Sequence, residues 1–448
     1  MDLMEFKKVI FDNGVAGAGG AGFPSHEKLN KTADTIILNC AECEPLFRVD
    51  RQLLAKYTEN ILQTLEIIVN VLEAEKGIVA IKSAYKNTIA AVKSQIQRYE
   101  KLEIKILPDV YPAGDEVVLV YETTGRIVPE GAIPLTVGTV VFNVETVLNI
   151  FKAVALKEPV TDKYVTVTGE VKNPITIKAP VGISIKELIE FAGGASIAEY
   201  EVLNGGPLTG RLADLEDTVG KTTKAIIVLP KEHIIVQKRQ LNPYTNLKRT
   251  MSVCSQCQMC TDLCPRSLLG HSIKPNRIMK ALGSGLAVDI EAFTSSMLCS
   301  ECGLCEAYSC HQGLSPRMLA GELKRKLRQN GVKNPHHKAP VSVNPMRDGR
   351  MVPMERLIAR LGISKYNVDA PLSEKDVNID KVKIYINRHI GQIPVPTVKI
   401  GDIVNKGDLI AEVPDGKLGV KFHASISGKV ISVEESFISI ENGGRIVG

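Results

Sequence analysis

Cys254-Ser255-Gln256-Cys257-Gln258-Met259-Cys260-Thr261-Asp262-Leu263-Cys264-Pro265 places three cysteines at two-residue gaps and a fourth just before a proline. A second run, Cys299-x2-Cys302-x2-Cys305-x4-Cys310, repeats the pattern with one extra residue and no proline. Two-residue gaps let three thiolates wrap one cubane of iron and sulfide, and the fourth ligand must come from further away. In two-cluster ferredoxins the last cysteine of each run serves the other cluster. That rule assigns Cys254, Cys257, Cys260 and Cys310 to one [4Fe–4S] cluster, and Cys264, Cys299, Cys302 and Cys305 to the other. Zinc favours two separated pairs of Cys or Cys/His, which the triple runs fit poorly. Structural disulfides conflict with a reducing compartment. The stretch between the runs has helical content at 278–282 and 290–297. The expectation is therefore a helix-supported dicluster domain over residues 245–330, not a small β-type ferredoxin.

Outward from this region the chain changes character on both sides. Its 448 residues suggest about three domains. Towards the N-terminus, residues 1–157 alternate apolar strands (35–39, 77–81, 104–107) with helical stretches (52–74, 84–99), the pattern of a parallel α/β layer sandwich. Residues 158–238 mix short strands with one helix, a small α+β module. Residues 331–378 read as an exposed linker and a helical segment. Residues 379–448 carry short strands punctuated by Gly and Asp turns, a compact all-β unit. The whole is a multidomain α/β protein.

Composition excludes several classes. The net charge of +5 comes from 55 Lys and Arg against 50 Asp and Glu, with no basic block interleaved with aromatics, so nucleic acid is not an expected partner. The basic run Lys324–Arg328 reads as the solvated face of a helix. No apolar run approaches the roughly 18 residues of a membrane span. The first residues lack the apolar core of a signal peptide, so a cytoplasmic protein is expected.

A glycine-rich loop, Gly17-Ala18-Gly19-Gly20-Ala21-Gly22-Phe23-Pro24, lies ahead of the first strand. Glycines there allow backbone N–H groups to approach a phosphate closely, or simply a turn. The loop lacks the Lys and Ser/Thr that end a P-loop. Cys40 and Cys43 form a further Cys-x2-Cys in Asn39-Cys40-Ala41-Glu42-Cys43-Glu44-Pro45. A redox dithiol or third metal site is one reading. Two small residues packed beside a cofactor loop is the favoured one.

Four ordered motifs carry a resemblance to a known family: Gly17 to Pro24 with Lys28; Asn39-x2-Glu42-x-Glu44-Pro45; Tyr111-Pro112-Ala113-Gly114-Asp115-Glu116; and Asn143-Val144-Glu145-Thr146. Together with the dicluster pattern they resemble the FMN- and NADH-binding flavoprotein of respiratory complex I. They resemble still more the C subunits of Rnf complexes and, in domain order and length, the cobalamin reductases of propanediol utilisation. Rnf C subunits usually place the all-β module first, whereas here it is C-terminal. The chain departs from the complex I loop at Ala18, where an Arg is usual, and from its paired Glu at Asp115-Glu116.

The resemblance implies roles. The loop Gly17, Gly19, Gly20 and Gly22, with Lys28, would hold the FMN phosphate. Asn39, Asn143 and Thr146 would bond the flavin or its ribityl chain. Gly114 belongs to the motif whose Glu116 would meet the nicotinamide ribose, and Glu42 and Glu44 would line the site near the flavin ring. It implies a β-grasp SLBB fold for 158–238 and a barrel-sandwich hybrid fold for 379–448, where Lys417 lies near the position of a carrier lysine but without the usual flanks. The implied cofactors are FMN, NADH and two [4Fe–4S] clusters. The implied activity is NADH-dependent reduction of cobalamin, with cobalamin or a cobalamin-handling protein as partner and encapsulation in a bacterial microcompartment left open. The alternative is a non-catalytic Rnf-like subunit that delivers electrons to a partner protein complex.

Overall fold

The computed structural model describes residues 1–285, 289–375 and 377–442, so the last six residues of the expected 379–448 module lie outside the described residues. The first domain is built on four parallel strands: β1 (Thr35–Cys40), β2 (Lys76–Lys82), β3 (Leu102–Leu107) and, after the two-residue β4 (Val110–Tyr111), β5 (Thr139–Asn143). The sheet order is β3-β2-β1-β5. Thr35-Ile36-Ile37-Leu38 is buried throughout, as expected for a parallel strand covered on both faces. Helices Thr58–Val71 and Val144–Phe151 cover one face and Glu116–Thr124 the other. Asn39 and Asn143 stand opposite each other in register at the carboxyl ends of β1 and β5. Ligands of open α/β sheets collect outside those ends.

The second module is a mixed sheet of β6 (Asp162–Gly169), β7 (Ile175–Pro180), β8 (Tyr200–Asn204), β9 (Arg211–Ala213) and β10 (Ala225–Pro230). β6 and β10 run parallel at its centre. Its helix Ile185–Phe191 opens with a capping box between Ser184 and Glu187. The cysteine-rich region is helical, with Pro243–Val253, Pro275–Ser284, Ile290–Ser295 and Pro316–Gln329 as its main helices. Three of its cysteines stand at helix ends: Cys254 ends the first, Cys264 opens the short helix Pro265–Leu268, and Cys310 ends the π-turn Cys305–Ser309.

Residues 331–378 are less of a linker than expected. β11 (Val352–Pro353) pairs antiparallel with β4 of the first domain, and β12 (Leu372–Ser373) extends the second module's sheet beside β7. Between them lies helix Met354–Arg360. The segment thus straps two domains together.

The C-terminal module folds as two antiparallel sheets. β13 (Lys381–Tyr385), β19 (Phe437–Glu441), β18 (Gly428–Val433) and β15 (Ile403–Val404) form one; β14 (Val395–Pro396), β16 (Leu409–Glu412) and β17 (Phe422–His423) form the other. Its core is continuous with that of the second module: Val165, Ile226, Ile384, Ile410 and Ile440 belong to one apolar cluster. The architecture is thus an α/β layer domain, a β-grasp module, a helical cysteine domain and a barrel-sandwich module. Among the described residues no helix is long and apolar enough to cross a membrane.

Candidate functional site

The glycine loop closes on itself through Gly17 N–H to the Phe23 carbonyl at 2.9 Å, and Ala18 N–H donates to Thr146 Oγ1 at 2.9 Å. Ala18 is buried, so an arginine has no room at this position. Gly19 lies on the Asn143 amide: a Cβ would stand 2.8 Å from Nδ2. At Gly20 a Cβ would meet nothing within 4 Å, because the loop faces open space there. That space is a cavity of about 490 Å³. Of the twelve residues expected to bind cofactor, ten line it: Gly17, Gly19, Gly20, Gly22, Lys28, Asn39, Gly114, Glu116, Asn143 and Thr146. Glu42 and Glu44 line a larger neighbouring hollow of about 900 Å³. Gly19, Gly20, Ala21, Asn39, Gly114 and Asn143 line both, which makes one cleft.

The polar groups of this cleft are fixed by each other. Asn39 accepts from Ala41 N–H at 3.0 Å and donates to the Gly114 carbonyl at 2.9 Å. Asn143 caps helix Val144–Phe151 through Glu145 N–H at 3.0 Å and donates to Asp50 Oδ2 at 2.7 Å. Asp50 is also ion-paired with Lys224, which reaches in from the second module. Burial pushes Asp50 up to about 6 against the pull of Lys224. Lys28 bonds the Val141 carbonyl at 3.0 Å and Glu116 at 3.1 Å, so the cation and the acid expected to meet different parts of the ligands form a pair with each other.

Glu42 and Glu44 do more structural work than the resemblance implied. Glu42 accepts from Asp50 N–H at 2.9 Å and from Arg51 Nε at 2.9 Å. Glu44 accepts from Leu208 N–H at 2.9 Å, Thr209 N–H at 2.8 Å and Thr209 Oγ1 at 2.6 Å. It pins the β8–β9 loop of the second module against the cleft. Burial raises its carboxyl above the usual range.

None of the ten cysteines forms a disulfide. Cys40 is buried, and Cys43 faces the cleft, where Gly114 N–H donates to its sulfur at 3.0 Å. Burial pushes Cys43 up to about 12, so it is a packed neutral thiol.

The other eight fall into two groups. Cys254 and Cys310 pack on one apolar cluster with Met279 and Leu314; Cys264 and Cys299 pack on another with Ile278 and Leu298. Burial and then its neighbours Cys310, Cys254 and Cys257 push Cys260 up to about 12. Cys264 is raised to about 11 by burial, with Cys299 beside it. Cys302 and Cys305 are raised by burial, and their cysteine neighbours are Cys264, Cys299 and each other. Among the described residues no three His, Cys, Asp or Glu side chains converge as on a single metal ion. In a cubane each thiolate binds its own iron, so a cluster set is wider than a one-ion site.

Cys302 joins the two sites, because it lines the 900 Å³ hollow together with Ser300. Tyr111 donates its hydroxyl to the Cys302 carbonyl, and Asp115 pairs with Arg266, two residues after Cys264, at 2.9 Å. Lys324 of the basic run donates to the Cys299 carbonyl at 2.7 Å instead of facing water. From the C-terminal module, Asn387 and Arg388 line the hollow and Ile390 the smaller cavity. Sequence reading missed Tyr111, Arg266, Lys224 and Arg388 as site residues. Tyr111 lies in a motif already singled out and Arg266 directly follows Cys264-Pro265; Lys224 and Arg388 carry no local signal. Lys417 is exposed in the turn between β16 and β17.

A flavin-binding α/β domain joined to an iron–sulfur domain is the class of protein these features define, and comparison with known proteins agrees. Family models match as Nuo51 FMN-binding domain over residues 10–152 and SLBB domain over 164–212. A 4Fe-4S dicluster domain matches 253–315, and the RnfC barrel sandwich hybrid domain matches 365–447. The chain is 42% identical over 444 residues to the cobalamin reductase PduS of Citrobacter freundii, covering 99% of this chain and 97% of that one. It is 40% identical to the protein of that name in Salmonella typhimurium, over 98% of this chain and 97% of that one. A component of the Na(+)-translocating ferredoxin:NAD(+) oxidoreductase complex of Acetobacterium woodii is 34% identical over 59% of this chain and 58% of its own length. The chain belongs to the PduS cobalamin reductase family and is an oxidoreductase.

Proposed function

We propose that the chain is an NADH-dependent flavin iron–sulfur reductase that passes single electrons to cobalamin. One observation carries the reading: the cleft lined by the glycine loop, Asn39, Asn143 and Thr146 is continuous with a hollow whose wall includes Cys302. A flavin seated in the first is thereby a neighbour of a cluster held by the second group of cysteines. The open space at Gly20 in a glycine-rich loop and the cation Lys28 in the wall of the same cavity fit FMN. Eight cysteines outside any disulfide, in two groups of four, fit two [4Fe–4S] clusters, held by Cys254, Cys257, Cys260 and Cys310 and by Cys264, Cys299, Cys302 and Cys305. Bound there, these groups supply hydride acceptance and one-electron relay.

The side chains position and shield. Asn39 and Asn143, locked by Gly114, Asp50 and Glu145, present fixed amides to the flavin. With FMN and NADH bound, Lys28, now paired with Glu116, would hold the phosphate, and Glu116 would meet the nicotinamide ribose. Glu42, Glu44 and Asp50, tied into buried ion pairs and N–H bonds, keep the cleft polar without serving as nucleophiles or bases. In balance, NADH gives NAD+, a proton and two electrons, and the electrons take cobalt(III) to cobalt(II) to cobalt(I) in single steps. The names and near full-length similarity of the two cobalamin reductases support cobalamin as acceptor.

Anaerobic reconstitution followed by iron, sulfide and flavin counting tests the reading, with an EPR spectrum recorded after NADH is added. About eight irons and one FMN per chain are expected. Four irons or fewer exclude two clusters, and a spectrum indifferent to NADH excludes NADH as donor.

A further inference from the structure

Only one of the eight cluster-type cysteines, Cys257, is exposed. It belongs to the group of which no member lines the cleft, and the surface around it is unusual. Met251, Val253 and Met259 are 55%, 41% and 40% exposed. They are neighbours: Met251 packs beside Gly283, where a Cβ would stand 3.9 Å from the Met251 Cα, and Val253 and Met259 flank the cysteine in sequence. Next to them a hollow of about 510 Å³ is lined by Gln256 and Gln258, on either side of Cys257, and by Arg277 and Lys280.

The charge of this face is positive. Lys248, stacked 4.6 Å over Tyr244, and Lys280 form no salt bridge among the described residues. Arg249 is exposed on the same helix, and Arg277 pairs with Asp289 and Glu291. Cations outnumber carboxylates, around an apolar centre that contains the one exposed ligand-type sulfur. An apolar, methionine-bearing centre with a charged rim is the anatomy of a protein-docking surface. The rim's sign selects an acidic partner and steers its approach.

We propose that this face, centred on Cys257 and Met259 with Lys248 and Lys280 at its rim, docks an acidic one-electron carrier protein. The proposal rests on the electron-transfer reading above and adds a carrier protein as the intermediate acceptor between the Cys257-bearing group and cobalamin. One electron leaves the Cys257-bearing group and one electron reduces the carrier's own redox centre; no bond is made or broken. Gln256, in the wall of the hollow, donates its side-chain amide to Cys254 Sγ at 3.2 Å.

The test uses the full chain, reconstituted anaerobically, and an acidic [2Fe–2S] ferredoxin as probe. Binding is measured by surface plasmon resonance at low (about 10 mM) and high (about 500 mM) salt. Wild type is expected to bind at low salt and to weaken at least tenfold at high salt. Lys248→Glu/Lys280→Glu is expected to lose at least tenfold at low salt. A control reversal on the C-terminal module, Lys399→Glu/Lys429→Glu, should keep the wild-type affinity. No binding by wild type at low salt, an unchanged double variant, or an equal loss in the control overturns the proposal. Flavin bleaching by NADH is recorded on the same samples. Its failure in wild type counts against the donor assignment alone, because the binding measurement does not depend on it.

Discussion

A methyl group on Gly114 would stand 2.0 Å from the Ala41 carbonyl oxygen and 3.0 Å from Cys43 Sγ. The first of these is backbone and cannot step aside. Gly114→Ala should therefore strain the contact between the Tyr111–Glu116 segment and β1, with a cost of about 1–3 kcal/mol and a lower thermal midpoint. Gly20 offers the contrast, since a Cβ there meets only open space. Gly20→Ala should leave the thermal midpoint of the apoprotein unchanged and yet raise the Kd for FMN by about tenfold, roughly 1.4 kcal/mol, by intruding on the phosphate cradle. Flavin fluorescence titration and thermal melts on both variants separate the two effects. Equal melting losses would mean that Gly20 is only a turn residue.

At the scale of elements, β12 is held in place by Glu374, just beyond it. Glu374 accepts bonds from Lys56 and Tyr57 at the junction of two helices, and from Tyr164 of β6 at 2.8 Å. Burial raises its carboxyl, but these donors outweigh burial and bring it down to about 2, from the usual 4.5. A depressed folded-state pKa contributes stability that is complete above about 4.5 and lost as pH falls through about 2. Glu374→Gln should be less stable than wild type at neutral pH, with the difference shrinking below pH 4.5 and gone near 2. Unfolding midpoints measured against pH check this. The same element marks the limit of sequence reading. Strand β1 and helix Pro275–Ser284 were legible because apolar periodicity is local. The expected helix 52–74 is in fact two, Val49–Lys56 and Thr58–Val71, broken at Tyr57, whose hydroxyl bonds Glu374 some three hundred residues away. The two-residue strands β11 and β12 have no period to read, and their partners lie in other domains. Glycines and asparagines of the cleft were legible through motifs; the side chains that reach it from other modules, Lys224 and Arg388, were not.

At the scale of the molecule, the question is what keeps the cysteine domain seated on the flavin domain, and Asp115 is central to it. One of its oxygens caps helix Glu116–Thr124 through Val117 and Val118 N–H, at 3.1 and 3.2 Å. The other holds Arg266 at 2.9 Å, two residues after Cys264. Both side chains are 14% exposed, so the pair is shielded from water and salt screens it little. Tyr111, bonded to the Cys302 carbonyl, makes a second tie close by. Arg266→Gln leaves the helix cap intact and removes the ion pair, at a cost of about 1–3 kcal/mol. With the seat loosened, the gap between cleft and cysteines is no longer fixed. Stopped-flow absorbance of the reconstituted protein should show flavin bleaching by NADH at the wild-type rate and reduction of the iron–sulfur chromophore at least tenfold slower. Asp115→Asn/Arg266→Gln should cost little more than Arg266→Gln alone, because one interaction is lost in both. Strictly additive losses, or an iron–sulfur rate equal to wild type, would show that the two domains are aligned by Tyr111 and not by this pair.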